Sequence, residues 1–364
     1  MLRKLAKAGA AAGIHKLGVD RLVGTGRRMQ NMPLVLSYHR VVENYTRSTA
    51  HSISPMLVST EKFEAQIDWI GRHYDFVGLD ELGQVLESGE TRRRPVASVT
   101  FDDGYGDSYY HAYPILKRKG IPMAVFVVTD LVSTPGLQVH DELHLLLATA
   151  FKQWKQPAQQ LAALADQAGI EPVIKARISA PELAAFARTR LCLELLQHSQ
   201  IARLIELLRG SVRVTADTLA EFHSLTWEML QHMVANGMTI GSHTKSHKLL
   251  VNESWDTIVE EARGSRSELE RRLGRRIDHF AYPDGRFNAD ALNAVALAGF
   301  RYAYTTCMHR DREKPLLTIP RRVLWEKSCV DAFDKFSPSV LSCQINGIFD
   351  PAARCQQTHW AASA

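Results

Sequence analysis

Val96-Ala-Ser-Val-Thr-Phe-Asp-Asp-Gly104 is the stretch on which the reading of this chain turns. Its apolar and β-branched residues predict a buried strand, and the strand ends on two adjacent carboxylates and a glycine. Gly104 permits a turn that most residues resist. Two acids at the end of a buried strand are costly to desolvate unless a cation or hydrogen bonds offset the cost. A bare Asp-Asp-Gly is usually a solvated turn. A second segment, Gly241-Ser-His-Thr-Lys-Ser-His247, changes that reading, because it too follows an apolar stretch, Met238-Thr-Ile240. A helical turn starting there would put His243 and His247 on one face, able to hold one metal ion. The two segments together offer a carboxylate and two imidazoles for the metal, with one carboxylate left over as a base.

Around these segments the pattern alternates. Pro33-Leu-Val-Leu-Ser-Tyr-His-Arg-Val-Val42 reads as a first strand with His39 near its end; a lone histidine there is more often structural than chemical. A helix follows from Ser59, with Phe63, Ile67 and Ile70 at helical spacing, then a short strand at Phe76 to Leu79 and a helix from Asp80 to Leu86. Tyr109 to Lys119 reads as a helix, and Pro122 to Val128 as another buried strand. From about 131 to 222 the strands disappear, and an Ala-, Leu-, Gln- and Arg-rich region divided by Pro157, Pro172 and Pro181 predicts several helices. It is expected to be an insertion, either a wall over the site or an outer packing layer. The alternation then resumes through a strand leading into a turn over His279 to Asn288 and strands at Arg301 to Thr306 and Leu316 to Leu324. From Ser328 the signal fades, and residues 331–364 read as a C-terminal extension. Strand–helix alternation of this kind argues for parallel strands and an α/β architecture.

The chain has 364 residues, 45% hydrophobic and 23% charged, an ordinary soluble balance. Its net charge of +5 is uneven: residues 1–30 hold seven basic side chains (Arg3, Lys4, Lys7, Lys16, Arg21, Arg27, Arg28) and one acid, so the remainder sums to −1. That excludes a basic nucleic-acid-binding surface on the main domain. Residues 1–30 read as a basic helical segment that either rests on an anionic membrane surface or packs on the domain. Lys7, His15 and Lys16 interrupt the apolar run that a secretory signal would need. Five scattered cysteines (Cys192, Cys307, Cys329, Cys343, Cys355) without a C-x-x-C pair suit a reduced, cytoplasmic setting.

The ordered set Ser-Tyr-His-Arg-Val, Thr-Phe-Asp-Asp-Gly, Gly-Ser-His-Thr-Lys-Ser-His and Tyr-Pro-Asp-Gly resembles the polysaccharide deacetylases, the NodB-like group of carbohydrate esterase family four. The resemblance runs from about Leu34 to Leu324, apart from the helical insertion. It implies a distorted (β/α) barrel of about seven strands over residues 31–330. It also implies metal-dependent removal of an N-acyl group from a sugar. By resemblance Asp103, His243 and His247 are metal ligands for a divalent ion, Zn²⁺ first, with Co²⁺ or Ni²⁺ as alternatives. Asp102 is the general base. His39 matches the general acid of the branch with a Tyr-His pair near the first strand, with His309 as a weaker rival in a polar loop.

The last segment departs from the family's commoner Arg-x-Pro-Tyr. Ala281 stands where the arginine would be and Asp284 where the aromatic would be, so what orients the base is open, with Arg286 and Arg321 as candidates. Tyr282, Pro283, Asp284 and Arg286 are taken as the substrate-binding turn, in which the N–H after Pro283 can serve an oxyanion. Tyr282, Trp227 and Trp325 could stack on a sugar, although core packing is the commoner role for such residues. The expected activity is N-deacetylation of an acetamido sugar in a polysaccharide, a lipid-linked glycan or a glycoconjugate. A hydrolase of a non-sugar linear amide and an inactive glycan-binding scaffold are the alternatives. The expected partners are an N-acetylated glycan or glycolipid and, through residues 1–30, the inner membrane face, with no nucleic acid.

Overall fold

The apolar runs pair as parallel strands in a computed structural model that describes residues 2–20, 22–23 and 32–350. In chain order they are β1 (Leu34–Tyr38), β2 (Arg40–Val42), β3 (Leu57–Ser59), β4 (Asp75–Phe76), β5 (Val96–Phe101), β6 (Met123–Val127), β7 (Thr239–Ser242), β8 (His279–Ala281), β9 (Tyr302–Thr305), β10 (Ile319–Pro320) and β11 (Arg322–Val323). β2 and β3 form a ribbon of their own. The other nine make one parallel sheet in the order β10-β9-β8-β7-β6-β5-β1-β11, with β4 beside β5. β10 and β11 lie at opposite ends of that order, yet only Arg321 separates them in sequence. The stretch Ile319–Val323 therefore joins both edges, and the sheet is a nearly closed (β/α) barrel.

The expected barrel of about seven strands is what forms: β1, β5, β6, β7, β8, β9 and the last strand, β10 with β11, close it, and β4 adds a two-residue piece beside β5. β4 is too short to show an alternation, and the last strand is split at Arg321 into two two-residue pieces. β1, β5 and β6 are buried at every position, which is why they read as near-continuous apolar runs. Helix caps follow the sequence: Ser59, Thr226, Ser254 and Asn288 each accept a backbone N–H of the first turn. The expected helix after Tyr109 opens instead with a π turn over Ser108–Ala112 before the α-helix Tyr113–Arg118.

Between β6 and β7 the chain forms helices Val139–Gln153, Pro157–Gln167, Pro172–Ile178, Ala185–Leu195, His198–Ser211 and Ala216–Leu219. Pro157 and Pro172 occupy first-turn positions, where a missing N–H costs nothing. These helices have their own apolar cluster around Leu147, Leu161, Cys192, Leu204 and Leu208.

The N-terminal helix Leu2–Lys16 packs against a helix at Pro338–Ile345, in the region where the sequence signal had faded. Ala11 and Ile14 meet Val340 and Cys343, and the buried Asp20 accepts from Ser342 Oγ and pairs with His15 Nδ1 at 2.8 Å. Lys4 pairs with Asp334 at 3.3 Å and Lys7 lies over the Phe349 ring. Arg21, Arg27, Arg28 and Cys355 lie outside the described residues. Among the described residues, no helix is long and apolar enough to cross a membrane.

Candidate active site

Asp102, Asp103, His243 and Arg321 stand at the ends of parallel strands. The ladder runs one residue past the strands: Asp102 N–H donates to Tyr38 O (2.9 Å), His243 N–H to Val127 O (2.9 Å) and Arg321 N–H to Thr305 O (2.7 Å). Backbone pairing thus fixes Asp102, His243 and Arg321 before their side chains make any contact. Beyond the ladder the chain turns sharply. Six non-glycine residues have positive φ among the described residues, and four of them sit here: Asp103 (68°), Thr244 (70°), His247 (59°) and Asp284 (55°). Each such position costs roughly 1–3 kcal/mol, a cost that persists where surrounding contacts hold it in place. Gly104, at φ 72°, completes the acidic turn, and a Cβ there would come within 3.1 Å of the Val127 side chain.

Asp102 and Asp103 point to different partners. Arg321 forks onto Asp102, Nη1 to Oδ1 and Nη2 to Oδ2, both at 2.7 Å, and Ser37 Oγ donates to Oδ2 at 3.2 Å. Burial alone would raise the Asp102 carboxyl, but Arg321, with His243 behind it, holds it below its ordinary range. The arginine that holds Asp102 is therefore Arg321, delivered by the interrupted last strand rather than by the turn after β8. Arg286 does not take that place.

Asp103 is fully buried, and neither of its carboxylate oxygens receives a hydrogen bond of ordinary geometry. Its Oδ1 lies 3.4 Å from His243 Nε2 and 3.2 Å from His247 Nε2, and one ligand atom from each of the three residues falls within 4.8 Å of the others. His243 Nδ1 lies 2.8 Å from Ala281 O, a carbonyl that can only accept, so Nδ1 carries the proton. His243 Nε2 is thereby turned toward Oδ1. A buried carboxylate faced by two imidazole nitrogens is a donor set that fits a divalent metal. Burial would raise the Asp103 carboxyl; His140, His243 and His247 hold it well below the usual range.

The histidines do not share a helical turn, as the spacing had suggested. The segment after β7 is a loop in which Thr244 and His247 adopt left-handed backbone, and the fold of that loop brings the rings to 5.0 Å. Glu261, on the helix Trp255–Leu273, shapes it by accepting from Lys245 N–H (2.9 Å), Ser246 N–H (2.8 Å) and Ser246 Oγ (2.6 Å).

A cavity of about 380 Å³ opens over these groups, lined by Asp102, Asp103, His243, His247, His39 and Asp284 among others. His39, just beyond β1, has its Nδ1 buried without a hydrogen-bond partner. His309 borders a different cavity, beside Met32 and Arg310. The substrate turn is corrected in part. Asp284 and Gly285 line the cavity, but Pro283 and Arg286 do not, and the Tyr282 ring is buried in the core with its hydroxyl donating to Leu317 O at 3.2 Å. Trp227 is also a core residue, under the Arg272 guanidinium. Among the lining residues Phe186 is the one carbocyclic aromatic, and the insertion supplies an apolar wall through Val139, Leu193, Leu196 and Ile201.

His140 escaped the sequence reading. It sits in the first turn of the insertion helix Val139–Gln153, is buried, and places Nε2 3.6 Å from Asp103 Oδ2. Burial keeps its imidazole neutral, bringing its pKa down to about 3. The Tyr105 hydroxyl lies 2.9 Å from the same Nε2 and donates to Asp141. Nothing in Val139-His-Asp-Glu-Leu-His144 distinguishes it from an ordinary amphipathic helix start.

Comparison with known proteins agrees with this geometry. A family model described as polysaccharide deacetylase matches residues 89–171 and 192–303. A poly-beta-1,6-N-acetyl-D-glucosamine N-deacetylase of Staphylococcus aureus (strain MSSA476) is 36% identical over 111 residues, which cover 28% of this chain and 38% of that protein. The match thus spans well under half the length of that curated relative. Among solved structures, Streptococcus pyogenes deacetylase PplD in complex with acetate superposes with a TM-score of 0.54 at 19% identity, over 86% of this chain and 98% of that one. IcaB from Ammonifex degensii gives 0.51 at 18% identity, over 87% and 97%. At such identities these two likenesses speak for the shared barrel.

Proposed function

Since this chain belongs to the polysaccharide deacetylase family, we propose that it is a metal-dependent hydrolase that removes the N-acetyl group of an acetamido sugar in a polysaccharide, a lipid-linked glycan or a glycoconjugate. The observation that carries this reading is the buried Asp103 carboxylate, without hydrogen bonds and facing two histidines, beside a second carboxylate held by Arg321. Asp103, His243 and His247 would hold the ion, Zn²⁺ first. A bound Zn²⁺ would supply Lewis-acid polarisation of the amide carbonyl.

The remaining work falls to the chain's own groups. Asp102, ionised and oriented by Arg321, takes a proton from the attacking water. His39, with an unpartnered ring nitrogen at the cavity, gives a proton to the departing amine. The turn after β8 bonds through Gly285 N–H and Arg286 N–H, so Asp284 N–H is the donor left out of those two bonds and suits a developing oxyanion. A linear amide substrate is the competing reading, favoured by one observation, the apolar and sparsely aromatic wall.

The test is acetate release from N-acetylated glycans and linear amides, comparing metal-stripped protein with protein refilled with Zn²⁺, Co²⁺ or Ni²⁺. Metal-restored release from a glycan, abolished in Asp103→Ala, is the expected result. Release from linear amides alone overturns the sugar assignment, and full turnover by Asp103→Ala overturns the site. Exposed Leu5, Leu17 and Leu22 on the basic N-terminal segment support peripheral binding at an anionic inner membrane face. Flotation with vesicles containing anionic lipid checks that placement; no binding to them removes it.

A further inference from the structure

The helical insertion is stapled to the acidic loop at both of its ends. At its entry Gln138 Nε2 donates to Asp103 O at 2.6 Å, His140 faces Asp103 Oδ2, and Asp141 accepts from Tyr105. At its exit Leu225 N–H donates to Gly104 O (2.8 Å), Gly106 N–H donates to His223 O (2.9 Å), and Ser224 bridges Tyr105. Residues 103–106 are thus clasped from both sides by a segment that the rest of the barrel does not need for closure.

Within that clasp the protons can be placed. The Tyr105 hydroxyl has one hydrogen and gives it to Asp141, so the Tyr105 oxygen is an acceptor for its other neighbour. That neighbour is His140 Nε2 at 2.9 Å, which therefore carries its proton. The Nε2 atom lies 3.6 Å from Asp103 Oδ2, a facing contact rather than a hydrogen bond, while the two loop histidines both face Oδ1. Each oxygen of Asp103 thus has its own set of neighbours.

We propose that His140 is a positioning residue of the metal centre: its imidazole, fixed by Tyr105 and Asp141, faces Asp103 Oδ2 and biases the carboxylate so that Oδ1 is the oxygen presented to the ion with His243 and His247. Carboxylates that ligate metals are commonly held by outer partners in this way, and losing such a partner weakens metal binding about 10- to 100-fold. The inference rests on the reading of Asp103, His243 and His247 as ligands.

The experiment is a Co²⁺ titration of the full chain, followed by d–d absorption and by X-ray absorption at the metal edge, and it needs no substrate. In His140→Phe, which keeps a ring without the donor, the Co²⁺ dissociation constant should rise about 10- to 100-fold. His140→Gln, which keeps an N–H, should recover part of that loss. Leu204→Ala, which loosens the insertion core, should leave the constant unchanged. A wild-type constant in His140→Phe overturns the inference, as does equal weakening in Leu204→Ala. Three imidazoles per Co²⁺ in the wild type would make His140 a ligand and overturn its positioning role. If the wild type binds no metal at all, the proposed function fails with it; if it binds metal and only the His140 variants behave as wild type, the proposed function stands.

Discussion

The barrel mouth and the helical insertion reach the same carboxylate, Asp103, by different means. The barrel delivers Asp102, His243 and Arg321 by extending its backbone ladder one residue beyond each strand, so their positions come with the sheet. The insertion delivers His140 by side-chain contacts at its entry and backbone hydrogen bonds at its exit, while its body packs around a separate apolar cluster. The barrel mouth also concentrates the strained backbone positions, four of six, whereas no residue of the insertion helices is among them. Strain and buried charge belong to the chemistry, and unstrained helices with an apolar seam belong to the scaffold beside it. Changes at the mouth should therefore act on catalysis and on buried charge, and changes in the insertion body on stability.

His39→Ala puts the first side of that contrast to its hardest test. If His39 gives the proton to the leaving amine, turnover falls about 10²- to 10⁴-fold. Metal content and melting temperature should stay near wild type, since the ring nitrogen is not part of a hydrogen-bond network. A loss confined to KM would assign His39 to binding instead.

Arg321→Met comes next. Removing one partner of a buried ion pair leaves the other charge uncompensated, which typically costs about 3–5 kcal/mol. Urea unfolding at pH 7 should show a loss of that size. With Arg321 gone, burial is free to raise the Asp102 carboxyl, so the acid limb of the pH–rate profile should move to higher pH. An unchanged limb would mean that Asp102 is not the group whose ionisation the rate reports.

Leu204→Ala tests the insertion side. Leu204 is fully buried in the insertion's own cluster, and Leu-to-Ala changes at such sites cost about 2–5 kcal/mol. Unfolding should register that cost while kcat per metal-loaded molecule holds. A parallel loss of kcat would show that the body of the insertion, and not only its stapled ends, holds the site.

How much of this could be read from the sequence follows from how local each feature is. Thr-Phe-Asp-Asp-Gly declares itself because strand, acids and turn are contiguous. The two histidines were found by a spacing that suggested a helix, yet a loop with two left-handed residues brings them together. Arg321 was one of two candidates because a strand broken after two residues has no alternation to say which arginine turns inward. Tyr282 belongs to the core, the role that suits it better than stacking on a sugar, although its place in the turn after β8 groups it with the substrate-binding residues. His140 and Glu261 could not be singled out. Each lies on a helix whose polar residues look like a solvated face, and each gains its role from a loop far away in sequence.

Glu261 gives the smallest and most pointed test, because it supports the mouth from a helix. It is 2% exposed and accepts from two backbone N–H groups and Ser246 Oγ, with Lys248 3.2 Å away. Burial would raise its carboxyl, but the Ser246 contacts and Lys248 bring it below its ordinary value of 4.5. A carboxyl depressed in the folded state contributes stability that is fully present above its unfolded pKa and is lost as pH falls through the folded one. Glu261→Gln keeps the shape and one acceptor but loses the charge, for an expected cost of about 1–3 kcal/mol at pH 7. The difference in unfolding free energy between wild type and Glu261→Gln should hold from pH 7 down to about pH 5 and shrink below 4.5, where first the unfolded chain and then, at lower pH, the folded wild type takes up the proton. A difference that stays constant to pH 3 would assign the cost to altered packing, and the histidine loop would then owe its shape to its own backbone rather than to a buried charge.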